Sequence, residues 1–156
     1  MNGPDGQYQV TVPACWIHAA FITDGIYISK DGPALNWIEV RHIKREQGFP
    51  LTKVKLDGDY LITEVAEYYL AELKEKYRWG TVNQVITEPA EIDGKTGFRI
   101  HLEIINARGL EFDVLAYGLL DDLNFYHLLY KAPHLYYFEK ERQAFEGLVA
   151  TFHARP

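Results

Sequence analysis

At 156 residues, with 47% hydrophobic and 24% charged side chains, the chain has the length and composition of one globular domain with a core of its own. A formal net charge of −6, without a basic run longer than two residues, argues against a duplex nucleic acid partner, because neutralising phosphates needs clustered Lys and Arg. The single cysteine, Cys15, excludes an intrachain disulfide and a Cys-based metal site, and no stretch reaches the roughly 20 apolar residues that span a bilayer.

Residues 1–156 read as one domain, with 1–7, rich in Gly and Pro, expected to be disordered. Tyr8, Val10 and Val12 alternate as a short strand ending at Pro13. Cys15 has apolar neighbours in Pro13, Ala14 and Ile17, which would not lower its pKa, so an inert buried thiol is expected. Residues 26–29 and 35–44 read as paired strands around Asp31-Gly32, dipeptide chemistry that suits positive φ at a turn. In the second strand Ile38 and Val40 share one face, and Trp37, Glu39 and Arg41 make a mixed one.

Residues 61–79 carry the clearest helical pattern: Val65, Tyr69, Leu73 and Tyr77 recur at spacing four beside Ala66 and Leu70. Thr63 is the expected N-cap, and Glu67, Glu72, Lys74, Glu75 and Lys76 the solvated face. A strand over 82–87 follows. Gly94-Lys95-Thr96 has the letters of a phosphate-loop fragment, but the upstream glycine is missing and a strand pattern, not a helix, comes next, so nucleotide binding is not expected.

Residues 98–131 read as a three-stranded antiparallel meander. Phe98, Ile100, Leu102 and Ile104 share a face with Leu110, Phe112, Val114 and Ala116 if the first turn is the three-residue loop Ala107-Arg108-Gly109, with Gly109 in the left-handed position. That register sets Glu103 opposite Asp113 and His101 opposite Leu115, on a polar reverse face with Arg99 and Glu111. The turn around Asp121-Asp122 is open between two- and four-residue loops. Residues 139–152 form a closing amphipathic helix. The expected fold is α+β, a largely antiparallel twisted sheet with two main helices packed on it.

Two residue groups could carry function. His101, Glu103, Glu111 and Asp113 have the residue types of a carboxylate and imidazole metal site, and would serve a metal-dependent or hydrolytic enzyme. Alternation alone also predicts polar residues there, with charge partners such as Arg99; the like-charge pair Glu103–Asp113 is what singles the group out. Tyr126, Tyr130, Tyr136 and Tyr137 with His127 and His134 could line a ligand groove or a partner surface, or simply cap the core. His18 and His42 have no nucleophile partner by spacing, and hydrolase, zincin and dinucleotide signatures are missing. No cofactor is expected.

The sequence Thr23-Asp24-Gly25, the hairpin at Ser29 to Gly32, the helix opening Thr63 to Glu67, Ile92 to Phe98, Tyr126 to Tyr130 and Lys131-Ala-Pro133 together resemble small bacterial envelope lipoproteins of uncharacterised function. Their fold is similar to that of the PsbP subunit of photosystem II and of a small Ran-binding nuclear import factor. The resemblance implies a PsbP-like α/β/α sandwich and a non-enzymatic binding or accessory protein of the bacterial cell envelope, periplasmic or lipid-anchored in a precursor form. A cytoplasmic location is the alternative, since Val12-Pro-Ala-Cys15 lacks the apolar segment of a lipoprotein signal. The partner would be a protein or a small ligand. The family offers no catalytic residue to transfer.

Overall fold

A computed structural model describes residues 1–155. Short strands β1 (Tyr8–Gln9), β2 (Ile17–His18) and β3 (Ile26–Ser29) lead into β4 (Trp37–Lys44), then helix α1 (Ile62–Lys76), the long strands β5 (Gly80–Ile92), β6 (Lys95–Asn106), β7 (Glu111–Leu120) and β8 (Asn124–Pro133), helix α2 (Tyr137–Ala150) and β9 (His153–Ala154). Strands β2 to β8 form one seven-stranded sheet in the order β2-β3-β4-β8-β7-β6-β5, with every pairing antiparallel. β1 pairs with β9 in a separate two-stranded ribbon.

The meander has the expected register: Glu103 opposes Asp113, His101 opposes Leu115, and Asn106 closes the turn by donating to Leu110 O at 2.9 Å. Gly109 has φ +79°, a conformation that disfavours a Cβ. The second turn resolves as well. Leu120 pairs with Phe125, and Asp121 Oδ1 accepts the N–H groups of Leu123 and Asn124, closing a turn over Asp121 to Asn124.

The reverse face of the meander, expected to be polar, is a second core. Strands β7 and β8 lie in the middle of the sheet and are buried almost end to end, so they are covered on both sides. α1 covers Phe98, Ile100, Leu102, Ile104, Val114, Ala116, Phe125 and Leu129 with Val65, Tyr69 and Leu73. α2 covers the opposite residues, Leu115, Tyr117, Leu119, Tyr126, Leu128 and Tyr130, with Phe138, Phe145 and Leu148. One helix on each face gives the α/β/α sandwich.

Several local expectations shift. The strand expected over 82–87 runs from Gly80 to Ile92 and forms a hairpin with β6 through Asp93 and Gly94, both at positive φ; Gly94-Lys95-Thr96 is thus turn and strand start. α1 begins at Ile62 with Leu61 as N-cap, and Glu64 Oε2, not Thr63, accepts the Leu61 N–H at 2.8 Å. Glu72 is buried and not solvated: its carboxylate accepts the backbone N–H groups of Leu51 and Thr52 at 2.8–3.1 Å, pinning that loop to α1. Cys15 is exposed, at φ +69°. Residues 1–7, expected to be disordered, are tied down: Met1 exchanges hydrogen bonds with Val10, Asn2 bridges Gln9, and Gly3 lies flat against the Tyr8 ring.

Candidate functional site

On the α2 face, the strand pairing brings His101 and Glu103 of β6 against Asp113 of β7. Asp113 is 1% exposed, and its carboxylate is held from two sides: His101 Nε2 lies 2.7 Å from Oδ1 and His134 Nδ1 lies 2.5 Å from Oδ2. The His101 ring stacks on Phe138 of α2 at 5.2 Å, which fixes its plane. His134 follows β8, and its backbone N–H donates to Glu111 O at 2.9 Å, which sets the imidazole over Asp113. Burial acts to raise the Asp113 carboxyl, but its hydrogen bonds to His101 and His134 outweigh that and hold it below the usual carboxylate range. The hydrogen bond to Asp113 raises the His134 pKa.

One ligand atom each from Glu103, Asp113 and His134 lies within 4.8 Å of the others. The strand register brings Glu103 and Asp113 together with His101 hydrogen-bonded to Asp113, leaves Glu111 as an exposed neighbour, and adds His134. Sequence reasoning had assigned His134 to the tyrosine group, because only the β7–β8 register shows that it passes over Asp113. Arg99 is not the charge partner of this pair: it turns to Glu88, with Nε and Nη2 at 2.9 and 2.7 Å from Oε2.

A second polar network lies on the α1 face, where the mixed side of β4 points. Glu39 is 4% exposed between Tyr27 and Leu129 on the neighbouring strands. Lys76 of α1 forms an ion pair with Glu39 Oε1, and Trp37 Nε1 donates to Oε2 at 3.2 Å. His127 Nε2 faces Oε1 at 3.4 Å, and the Tyr69 hydroxyl meets His127 Nδ1 at 2.8 Å. Burial acts to raise the Glu39 carboxyl, but Lys76 and the hydrogen bonds prevail and lower it. Burial pushes His127 down to about 3, so the ring is neutral, and a proton on Nε2 facing Glu39 leaves Nδ1 to accept from Tyr69. With Glu39, Tyr69 and His127 all sealed from solvent, this network ties α1 to the sheet and offers no access to a substrate.

The tyrosine group divides. Tyr126 and Tyr130 are fully buried under α2 and His127 is buried on the opposite face, so these three share no groove. Tyr136 is 68% exposed beside Leu135 at 81%, and Tyr137 is half-buried. They adjoin the β3–β4 loop, because Lys140 reaches Asp31 at 3.3 Å with its Nζ 5.4 Å from the Tyr136 ring centre, and Lys30 pairs with Glu141 at 2.7 Å. Beyond that loop an open groove of about 500 Å³ is bordered by Pro33, Trp37, Ile17 and Phe21. Ile17 and Phe21 are 72% and 86% exposed. The β3–β4 loop thus carries exposed apolar and aromatic side chains on both sides, with the Lys30–Glu141 and Lys140–Asp31 ion pairs between them.

No protein-family profile and no curated protein sequence matches the chain. Among solved structures it is similar to the cyanobacterial PsbP of Synechocystis, at TM-score 0.64 and 11% identity over 99% of this chain and 91% of that one. It is also similar to LpqN of Mycobacterium tuberculosis, described as involved in cell envelope biogenesis, at TM-score 0.63 and 13% identity over 96% and 83% of the two chains. A mutant of Mog1 aligns at TM-score 0.64 and 12% identity over 99% and 94%. The fold is PsbP-like. Among the described residues, no helix is long and apolar enough to cross a membrane.

Proposed function

We propose that the protein is a non-enzymatic binding or accessory protein of the bacterial cell envelope, acting through the exposed surface formed by Ile17, Phe21, Pro33, Trp37, Leu135 and Tyr136. The observation that carries the binding role is this surface. Exposing Phe21, Ile17, Leu135 and Tyr136 to water is unfavourable for a free domain, and the groove bordered by Ile17, Phe21, Pro33 and Trp37 supports an interaction site, with Leu135 and Tyr136 on the other side of the β3–β4 loop. Aromatic rings with cations over them, as Lys140 lies over Tyr136 and Tyr137, suit a partner surface that is part apolar and part polar. The envelope location is supported by the fold shared over 96% of this chain with LpqN, whose described role is in envelope biogenesis.

The test is capture of partners from the native organism with envelope and cytosolic fractions kept apart, using the wild type and a Phe21→Ser, Tyr136→Ser variant. A partner recovered from the envelope fraction by the wild type and lost by the variant is the expected result. Recovery solely from cytosol overturns the location, and partners that the variant retains overturn the surface.

A further inference from the structure

We infer that Glu103, Asp113 and His134 form a binding site for a divalent transition-metal ion of the Zn²⁺ class, with His101 positioning the buried carboxylate. The three side chains come from three consecutive strands or their ends, and their ligand atoms already lie within 4.8 Å of one another. Zinc bonds to oxygen and nitrogen of about 2.0–2.2 Å set neighbouring donors about 3.4 Å apart in a tetrahedron, so the ion would replace the proton now shared by Asp113 Oδ2 and His134 Nδ1 at 2.5 Å, releasing it to solvent and opening that pair while Glu103 closes in. The adjustment falls on the side chains able to move. Glu103 is half-buried and His134 exposed, whereas Asp113 is locked in the sheet. His101 bonds Asp113 Oδ1 and leaves Oδ2 directed toward His134, the outer-shell arrangement that fixes a ligating carboxylate.

An independent observation points to a cation. Glu103 and Asp113 are directly opposed across the β6–β7 ladder, a like-charge pairing that destabilises a sheet unless positive charge compensates it. Arg99 is engaged with Glu88, so without a metal the compensating charge falls to His134, whose Nδ1 lies 2.5 Å from Asp113 Oδ2, and a divalent ion would take over that role. Two carboxylates and one imidazole balance the charge of a divalent ion and leave room for water on the exposed side. Mixed oxygen and nitrogen donors select Zn²⁺ or a similar borderline ion over Ca²⁺, which takes oxygen ligands.

The test is calorimetric titration of ZnCl₂ into the full chain, free of any affinity tag, at neutral pH. His153→Ala serves as background, because the exposed His153–Asp93 pair is a separate place where zinc could adhere. Glu103→Gln and His134→Gln each change one accessible side chain, and metal-free thermal melts verify that both variants fold. One zinc per chain, weakened at least about tenfold by each of the two substitutions and also by His101→Asn, is the expected result. No binding, binding that survives either ligand substitution, or binding abolished by His153→Ala alone would overturn the site. The partner-capture outcome above does not bear on this result.

Discussion

His127 has the clearest pH signature of any single residue. Its ring is buried and neutral in the folded protein, with a pKa of about 3, and in the unfolded chain it returns to about 6.5. Between those values the unfolded state binds the extra proton, so stability rises with pH across that window and is lost as pH falls from about 6.5 toward 3. Chemical denaturation of the wild type and of His127→Gln from pH 7 to pH 4 should show a steeper loss in the wild type, the difference amounting to a few kcal/mol, on the order of 1.4 for each pH unit. Parallel pH profiles for the two proteins would mean that His127 titrates in the fold as it does in the unfolded chain. Glu39 and His127 also show where sequence reading stopped. Trp37, Glu39 and Arg41 were legible as a mixed face, but a carboxylate in the middle of a central strand is explained only by Lys76 and Trp37, partners far along the chain or just before it. Glu72 is similar: helical spacing cannot tell a solvated carboxylate from one that receives two loop N–H groups.

At the scale of elements, the turns were legible where their chemistry was explicit and the strands where one face stayed wet. Gly109 fixed the β6–β7 register, and with it the opposition of Glu103 to Asp113, from the alternation of apolar residues on both strands. Alternation failed for β7 and β8, because strands covered on both faces lose it, and the second core under α2 was therefore not visible. The strand expected over 82–87 stops short of Pro89, a residue that central strands reject but that lies within β5. Pro89 is tolerated because β5 is an edge strand with β6 as its one neighbour in the sheet. Two kinds of glycine in this hairpin system predict different losses. At Gly109 a Cβ meets nothing within 4 Å but the backbone is at φ +79°, so Gly109→Ala should cost about 1–2 kcal/mol of left-handed strain alone. At Gly118 a Cβ would stand 2.3 Å from the Phe98 ring, so Gly118→Ala must displace a core aromatic and should cost about 1–3 kcal/mol with altered packing under α1. Urea denaturation ranks the two costs, and near-ultraviolet circular dichroism, which reads aromatic packing, should change for Gly118→Ala and stay as wild type for Gly109→Ala.

The whole molecule is two cores separated by one sheet, and the ends of the chain close the one beneath α2. Tyr8 is fully buried there: its hydroxyl donates to Val40 O at 2.5 Å, its ring stacks on Phe152 at 5.9 Å and meets Tyr126 edge-on at 6.2 Å, and β1 pairs with β9 just after α2. The first ten residues therefore complete a core whose other members come mainly from β3, β4, β7, β8 and α2, with Trp16, Ile92, Phe152 and Ala154 at its margin. Tyr8→Phe keeps the ring and leaves the Val40 carbonyl without this donor, which should cost about 1–3 kcal/mol. Tyr8→Ala also opens a cavity against Phe152 and Tyr126, and should cost about 3–5 kcal/mol. If the N-terminal segment is an integral part of the fold, equilibrium urea unfolding of both variants will remain a single transition shifted to lower midpoint, with the alanine variant shifted further. If the segment only rests on the surface, Tyr8→Ala will unfold with the wild-type midpoint, because removing a side chain from a detachable strand leaves the sheet and both helices as they were.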